Sequence, residues 1–165
     1  MRVKLFLILC SVSFFAQAQN YETKKVYVYS FVRLIQWPEE SRVGDFEIAV
    51  LGETPFFDQL IEMASKKKLG DRTIKVIKLA TIAELNKSHI LVLPAAQSAS
   101  LAEVLKKIST GSTLVVTEQD GLALKGSHIN FVLKDGKLAF ELNQNALTKN
   151  KLKAANELTR LAILL

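Results

Sequence analysis

Phe46-Glu47-Ile48-Ala49-Val50-Leu51-Gly52-Glu53-Thr54-Pro55-Phe56 compresses a strand, a turn and a helix start into one stretch. Phe46 to Leu51 is a short apolar strand that stops at Gly52. Thr54 is placed to cap a helix whose first position is Pro55, where the missing amide proton costs nothing. Phe57, Leu60, Ile61 and Ala64 then follow at i, i+3, i+4 and i+7, so that helix has one buried face. Lys66-Lys67-Lys68 closes it, since cations suit a helix C-terminus.

The strand–helix alternation continues downstream. Thr73 to Leu79 alternates apolar and basic residues as a strand does. Thr81-Ile82-Ala83-Glu84 reads as a capping box opening a short helical turn. His89 to Leu93 is a strand stopped by Pro94. Ser100-Leu101-Ala102-Glu103 reads as a second capping box, with Leu101, Val104, Leu105 and Ile108 on one helix face and Gly111 ending it. Leu114 to Thr117 is another apolar strand. Ile129 to Leu133 and Leu138 to Leu142 flank Asp135-Gly136, a strong hairpin signal. The spacing of Leu152, Ala155, Leu158, Ala162 and Leu165 predicts a C-terminal helix. Apolar strands separated by helical segments imply parallel pairing. The expected fold class is α/β: a three-layer α/β/α sandwich, mainly parallel, with a C-terminal antiparallel hairpin.

Tyr21 to Trp37 fits two patterns. Tyr27, Tyr29, Phe31, Arg33 and Ile35 alternate like a strand, and the Val, Tyr and Phe content agrees. Val28, Phe31, Val32 and Ile35 fit a helix, as does a long run without a turn signal. Trp37-Pro38 ends the segment either way.

The first residues read as a secretory leader. Arg2 and Lys4 precede an uncharged apolar run, Leu5 to Phe15, and Ala16-Gln17-Ala18 is a small-x-small cleavage site. The run is shorter than the ~20 residues a spanning helix needs. Leu9 before Cys10 does not suit a lipoprotein signal. The expected division is therefore a signal peptide, 1–18, and a single domain, 19–165. Cleavage removes two cations from a 165-residue chain of net charge +6, leaving 147 residues at +4. It also removes the only cysteine, so the exported domain is held by its core alone. With 49% apolar residues, a chain of this length has enough core for that.

The catalytic signatures of common enzymes are missing. There is no G-x-S-x-G elbow, H-E-x-x-H pair, Walker loop or G-x-G-x-x-G. His89 and His128 each begin a strand and read as structural. Glu118 and Asp120 share a loop and read as solvated carboxylates. No cofactor and no metal site is expected. The lysines at 66–68 and at 149, 151 and 153 read as a solvated face, and export argues against a nucleic acid partner. Eight of the ten aromatic residues of the exported chain precede residue 58, which reads as a core anchor for the first helix.

Several segments, taken in order, resemble the YfiR-like periplasmic family. Lys24 to Pro38 looks like its opening amphipathic helix with an aliphatic-x-Trp-Pro end. Val50-Leu51-Gly52-Glu53-Thr54-Pro55-Phe56 is similar to its strand-Gly-x-x-Pro-Phe turn, and Ser88-His89-Ile90-Leu91-Val92 to its Cys-His-Ile-Leu-Phe strand. Ile129-Asn130-Phe131 and Phe140-Glu141-Leu142-Asn143 match its hairpin strands. Leu152-Lys153-Ala154-Ala155-Asn156-Glu157-Leu158 sits where it has a last helix. The resemblance implies a helix for Tyr21 to Trp37.

It also implies a non-enzymatic, dimeric periplasmic protein that binds the sensor domain of an inner-membrane signalling protein. That partner is a diguanylate cyclase held inactive, with cyclic di-GMP and biofilm as the output, or a histidine kinase. A partner surface on the N-terminal and C-terminal helices would carry Tyr21, Tyr29 and Arg33 on one and Lys149, Lys153 and Arg160 on the other. Two departures matter. Ser88 replaces the family's cysteine, so redox control does not carry over. Ala155 and Asn156 replace its paired serines. The competing expectation is a stand-alone small-ligand receptor. Its site would lie outside the carboxyl ends of the strands, at Gly52, Glu53, Thr54, Pro55, Pro94, Gln97, Thr117 and Glu118.

Overall fold

A computed structural model describes residues 20–165; the expected leader, 1–18, lies outside the described residues. Helix α1 covers residues 20–34 and runs into the short strand β1, Ile35–Gln36. Next come β2 (Phe46–Leu51), α2 (Phe56–Lys66), β3 (Lys68–Leu69), β4 (Arg72–Leu79) and β5 (Ile90–Leu93). A 3-10 segment, Ala95–Ser100, leads into α3 (Leu101–Lys107) and β6 (Leu114–Thr117). The hairpin β7 (Ile129–Lys134) and β8 (Lys137–Leu142) precedes α4 (Gln144–Lys149), β9 (Lys153–Ala154), α5 (Asn156–Thr159) and β10 (Ile163–Leu164).

The main sheet has eight strands in the order β10-β8-β7-β6-β5-β2-β4-β3. Strands β4, β2, β5, β6 and β7 run parallel, and β8 returns antiparallel to β7. Every residue of β5 and β6 is buried, which is why these strands are continuous apolar runs rather than alternating ones. Alternate residues face opposite layers. Ile48, Val50, Ile90, Val92, Leu114 and Val116 join one core with α1 and α2. Ala49, Leu51, Leu91, Leu93 and Val115 join a second with Leu101 and Val104 of α3 and with Ile82 and Leu85. Two cores on two faces of one sheet make the three-layer arrangement expected from the sequence.

The hairpin turns at Asp135 (φ 52°) and Gly136 (φ 74°). Both positions are left-handed, as a two-residue turn of this hand requires. Thr54 caps α2 as anticipated: its Oγ1 accepts the Phe56 amide at 3.2 Å.

Several local expectations fail. Thr81 makes no cap bond, and its hydroxyl donates to Glu84 Oε1 at 3.2 Å instead. Ile61, expected on the buried face of α2, is 43% exposed. Ser100 forms no capping bond, because the 3-10 segment already winds through it and leaves it at φ −80°, ψ −3° instead of extended. The C-terminal helix does not form as one unit. Lys151 adopts φ 56° and turns the chain out of α4. Lys153–Ala154 then pairs antiparallel with Gln36–Ile35, α5 makes a single turn, and Ile163–Leu164 adds to β8. Leu152 and Leu158 are still buried, but Leu165 is 40% exposed.

Candidate functional site

Helix α1 is anchored by its aromatic residues. Tyr27 and Phe31 each meet the Phe140 ring edge-on at 5.1 Å, and Phe131 lies 5.9 Å from Phe31. Phe131 and Phe140 are register partners across the hairpin, so the helix and the hairpin share one aromatic cluster. The core-anchor reading of these residues is correct for Tyr27 and Phe31.

The predicted partner residues on α1 are not equivalent. Tyr21 stacks on Phe56 at 5.9 Å, against α2. Tyr29 is half-buried, donates its hydroxyl to the Lys68 carbonyl at 3.3 Å, and lies between the cations of Arg33 (5.7 Å) and Lys67 (5.5 Å). Arg33 is exposed, on the same outward side as Glu22 and Val26. Lys149, Lys153 and Arg160 are all exposed. The pairing Ile35↔Ala154 and Gln36↔Lys153, with the Ala155 amide donating to Leu34 O at 2.8 Å, joins the end of α1 to the C-terminal segment. The two predicted regions are therefore neighbours through a two-stranded sheet, where a pair of helices was expected.

At the carboxyl edge most of the candidate ligand residues are buried or already engaged with other side chains. Pro94 is buried and Thr117 is fully so; Thr117 Oγ1 lies 2.9 Å from Ser127 and 2.7 Å from Asn130 Oδ1. The Gln97 side chain lies over Gly52, so close that a Cβ there would stand 2.8 Å from Nε2. Glu53 pairs with Lys78 at 2.7 Å, and Thr54 and Pro55 open α2. Glu118 corrects the solvated reading: its side chain is 9% exposed and pairs with Lys24 of α1 at 3.2 Å, with that same oxygen lacking a well-directed hydrogen bond. Its role is to tie α1 to the end of β6.

Both histidines are held by backbone. The Glu47 amide donates to His89 Nδ1 at 3.0 Å, so Nε2 carries the proton and donates to Ser41 O at 2.7 Å. Arg72 Nη2 lies 2.9 Å from that nitrogen, as a second donor beside it, since the proton is already committed. Burial pushes the His89 pKa down, the bond to Ser41 opposes this, and the Arg72 charge adds to the fall. His128 is fully buried. The Val115 amide donates to its Nδ1 at 2.9 Å and its Nε2 donates to Asn150 Oδ1 at 3.0 Å. Burial pushes its pKa down to about 4. Neither imidazole has a free nitrogen for acid–base work. Among the described residues no group of three or more His, Cys, Asp or Glu is placed to hold a metal ion.

Sequence reasoning missed Arg72 and Asn150. Arg72 donates to the carbonyls of Gly44 (2.7 Å), Ser41 (3.3 Å) and Asp45 (3.2 Å). Asn150 Nδ2 donates to Ile108 O (2.8 Å) and Gly111 O (3.0 Å). Both act on backbone far away in sequence, for which no local pattern exists.

Compared with known proteins, the chain matches one family model, described as YfiR/HmsC-like, over residues 21–163. No curated protein matches it.

Proposed function

The chain belongs to the YfiR/HmsC-like family, and from that premise we propose that it is a periplasmic regulator. It is exported by its leader, binds the sensor domain of an inner-membrane diguanylate cyclase, and holds that enzyme inactive. It works by binding, as a homodimer, and performs no catalysis itself. The observation that carries this reading is the family match across nearly all of the described residues. The outward side of α1, with Arg33 and the half-buried Tyr29, and the adjoining Lys149, Lys153 and Arg160 form the contact surface. Arg and Tyr are the residue types in which interface energy concentrates.

The receptor reading at the carboxyl edge has less support, because Gln97 covers Gly52 and Pro94 and Thr117 are buried. The test is a titration of the purified protein against the periplasmic domain of an inner-membrane diguanylate cyclase from the same organism. Saturable binding is the expected result. Absence of binding to that domain, with binding to a histidine kinase sensor domain instead, would transfer the role to phosphotransfer.

A further inference from the structure

A cavity of about 580 Å³ opens at the edge of the sheet opposite to the one expected for ligands. Its walls are the segments that enter the strands: Ser41 and Val43 before β2, Ser88 and His89 before β5, Ser112 and Thr113 before β6. The volume lies within the ~300–1,000 Å³ of small-molecule sites. Three lysines line it, Lys87, Lys107 and Lys151, against one carboxylate, Glu40.

Those cations are available. Lys87 and Lys151 form no ion pair with any described residue. Lys107 spends one proton on Ala83 O at 2.7 Å, and an ammonium has three donors. The hydroxyls of Ser41 and Ser112 lie 2.8 Å apart; one donates to the other, which leaves the second O–H free for a ligand. Thr110 adds a further exposed hydroxyl.

The walls are fixed before any ligand arrives. Arg72 grips four carbonyls of the 41–45 loop, and His89 takes Ser41 O. Asn150, itself held by His128, fixes Ile108 and Gly111 on the other side. Lys151 follows directly, at φ 56°, a conformation that disfavours a residue with a side chain. Strain of this kind persists where surrounding structure over-determines it, and such places cluster at ligand sites. A prebuilt wall lowers the ordering cost of binding.

We infer that this amino-edge cavity binds a small phosphate-bearing molecule. The lining residues that can donate are lysines and hydroxyls carried on several different segments, which suits a tetrahedral oxyanion. The planar fork that favours a carboxylate comes from arginine, and Arg72 is already committed to backbone. The inference stands whether or not the cyclase is the partner.

The test is calorimetric titration of the purified protein at low ionic strength with inorganic phosphate, then glycerol 3-phosphate. Saturable binding of both is expected. Lys87→Gln and Lys151→Gly should each weaken it about tenfold, the usual scale for one charge-assisted contact. Lys151→Gly should also keep or raise the melting temperature, because glycine relieves the left-handed backbone, so its loss of binding is not a loss of fold. Lys134→Gln, at the exposed hairpin tip, should change nothing. The inference is overturned if the parent gives no saturable binding, if citrate binds and phosphate does not, or if Lys134→Gln weakens binding as much as the cavity variants.

Discussion

His128 Nε2 donates to Asn150 Oδ1 at 3.0 Å, and through it a fully buried imidazole holds the turn after α3, since Asn150 passes two further bonds to Ile108 and Gly111. The arrangement requires a neutral ring, because the Val115 amide occupies Nδ1 as a donor.

Stability should therefore depend on pH. Unfolded, His128 takes up a proton near pH 6.5; folded, near about 4. Between these values the unfolded chain binds more protons, so stability is complete above 6.5 and is lost as pH falls toward 4. The loss from about pH 7 to about pH 5 should be about 2 kcal/mol. His89, pushed down as well, acts in the same direction. Glu62, held at about 2 by Lys66 and Lys25, contributes only below 4.5, outside this range. Urea denaturation at the two pH values measures it, and equal midpoints would refute the account.

Gly52 and Gly136 share φ 74° but differ in surroundings. A Cβ at Gly136 meets nothing within 4 Å; one at Gly52 meets Gln97 at 2.8–3.2 Å. Gly136→Ala should cost about 1 kcal/mol for the backbone alone. Gly52→Ala should cost about 0.5–1 kcal/mol more. In a Gln97→Ala background that excess should vanish, as a double-mutant cycle would show. Equal costs for the two glycines in the parent would mean that Gln97 moves aside freely.

What could be read in advance follows from how local each signal is. β2, β5 and β6 are buried on both faces, so their apolar runs needed no context. The hairpin was written in Asp135-Gly136, two residues that must both go left-handed. α1 carries strand-like residues, yet Tyr27 and Phe31 are spent on packing against Phe131 and Phe140, a contact across the fold. The C-terminal stripe was misread because Leu152, Ala155 and Leu158 do keep helical spacing. What breaks the helix is Lys151 and the pairing of Lys153–Ala154 with β1, and neither has a local signature. The candidate site residues were legible only as residue types on segments. That Gln97 would close over Gly52, or that the open cavity would lie at the other edge, depends on side chains meeting across the sheet.

The chain's one cysteine is Cys10, within the expected leader. Ser88 is buried and donates to Glu47 Oε1 at 2.6 Å. The exported protein should melt at the same temperature with and without a thiol reductant. A reproducible shift would contradict a disulfide-free regulator.

On α1, Arg33→Ala should weaken binding to the sensor domain about thirtyfold, the scale of one interface hot spot. Its melting temperature should not move, because Arg33 is exposed. Tyr29→Ala should weaken binding and also lower the melting temperature, since Tyr29 packs against the core and bonds to Lys68 O. If both variants bind like the parent, the outward side of α1 is not the contact surface.

If this protein restrains a membrane diguanylate cyclase from the periplasm, cellular cyclic di-GMP must respond to the presence or absence of its gene. Deletion should raise the level severalfold. Restoring the gene with its leader should bring it back down, whereas a copy lacking residues 1–18 should not. An unchanged or lower level in the deletion strain would contradict the account.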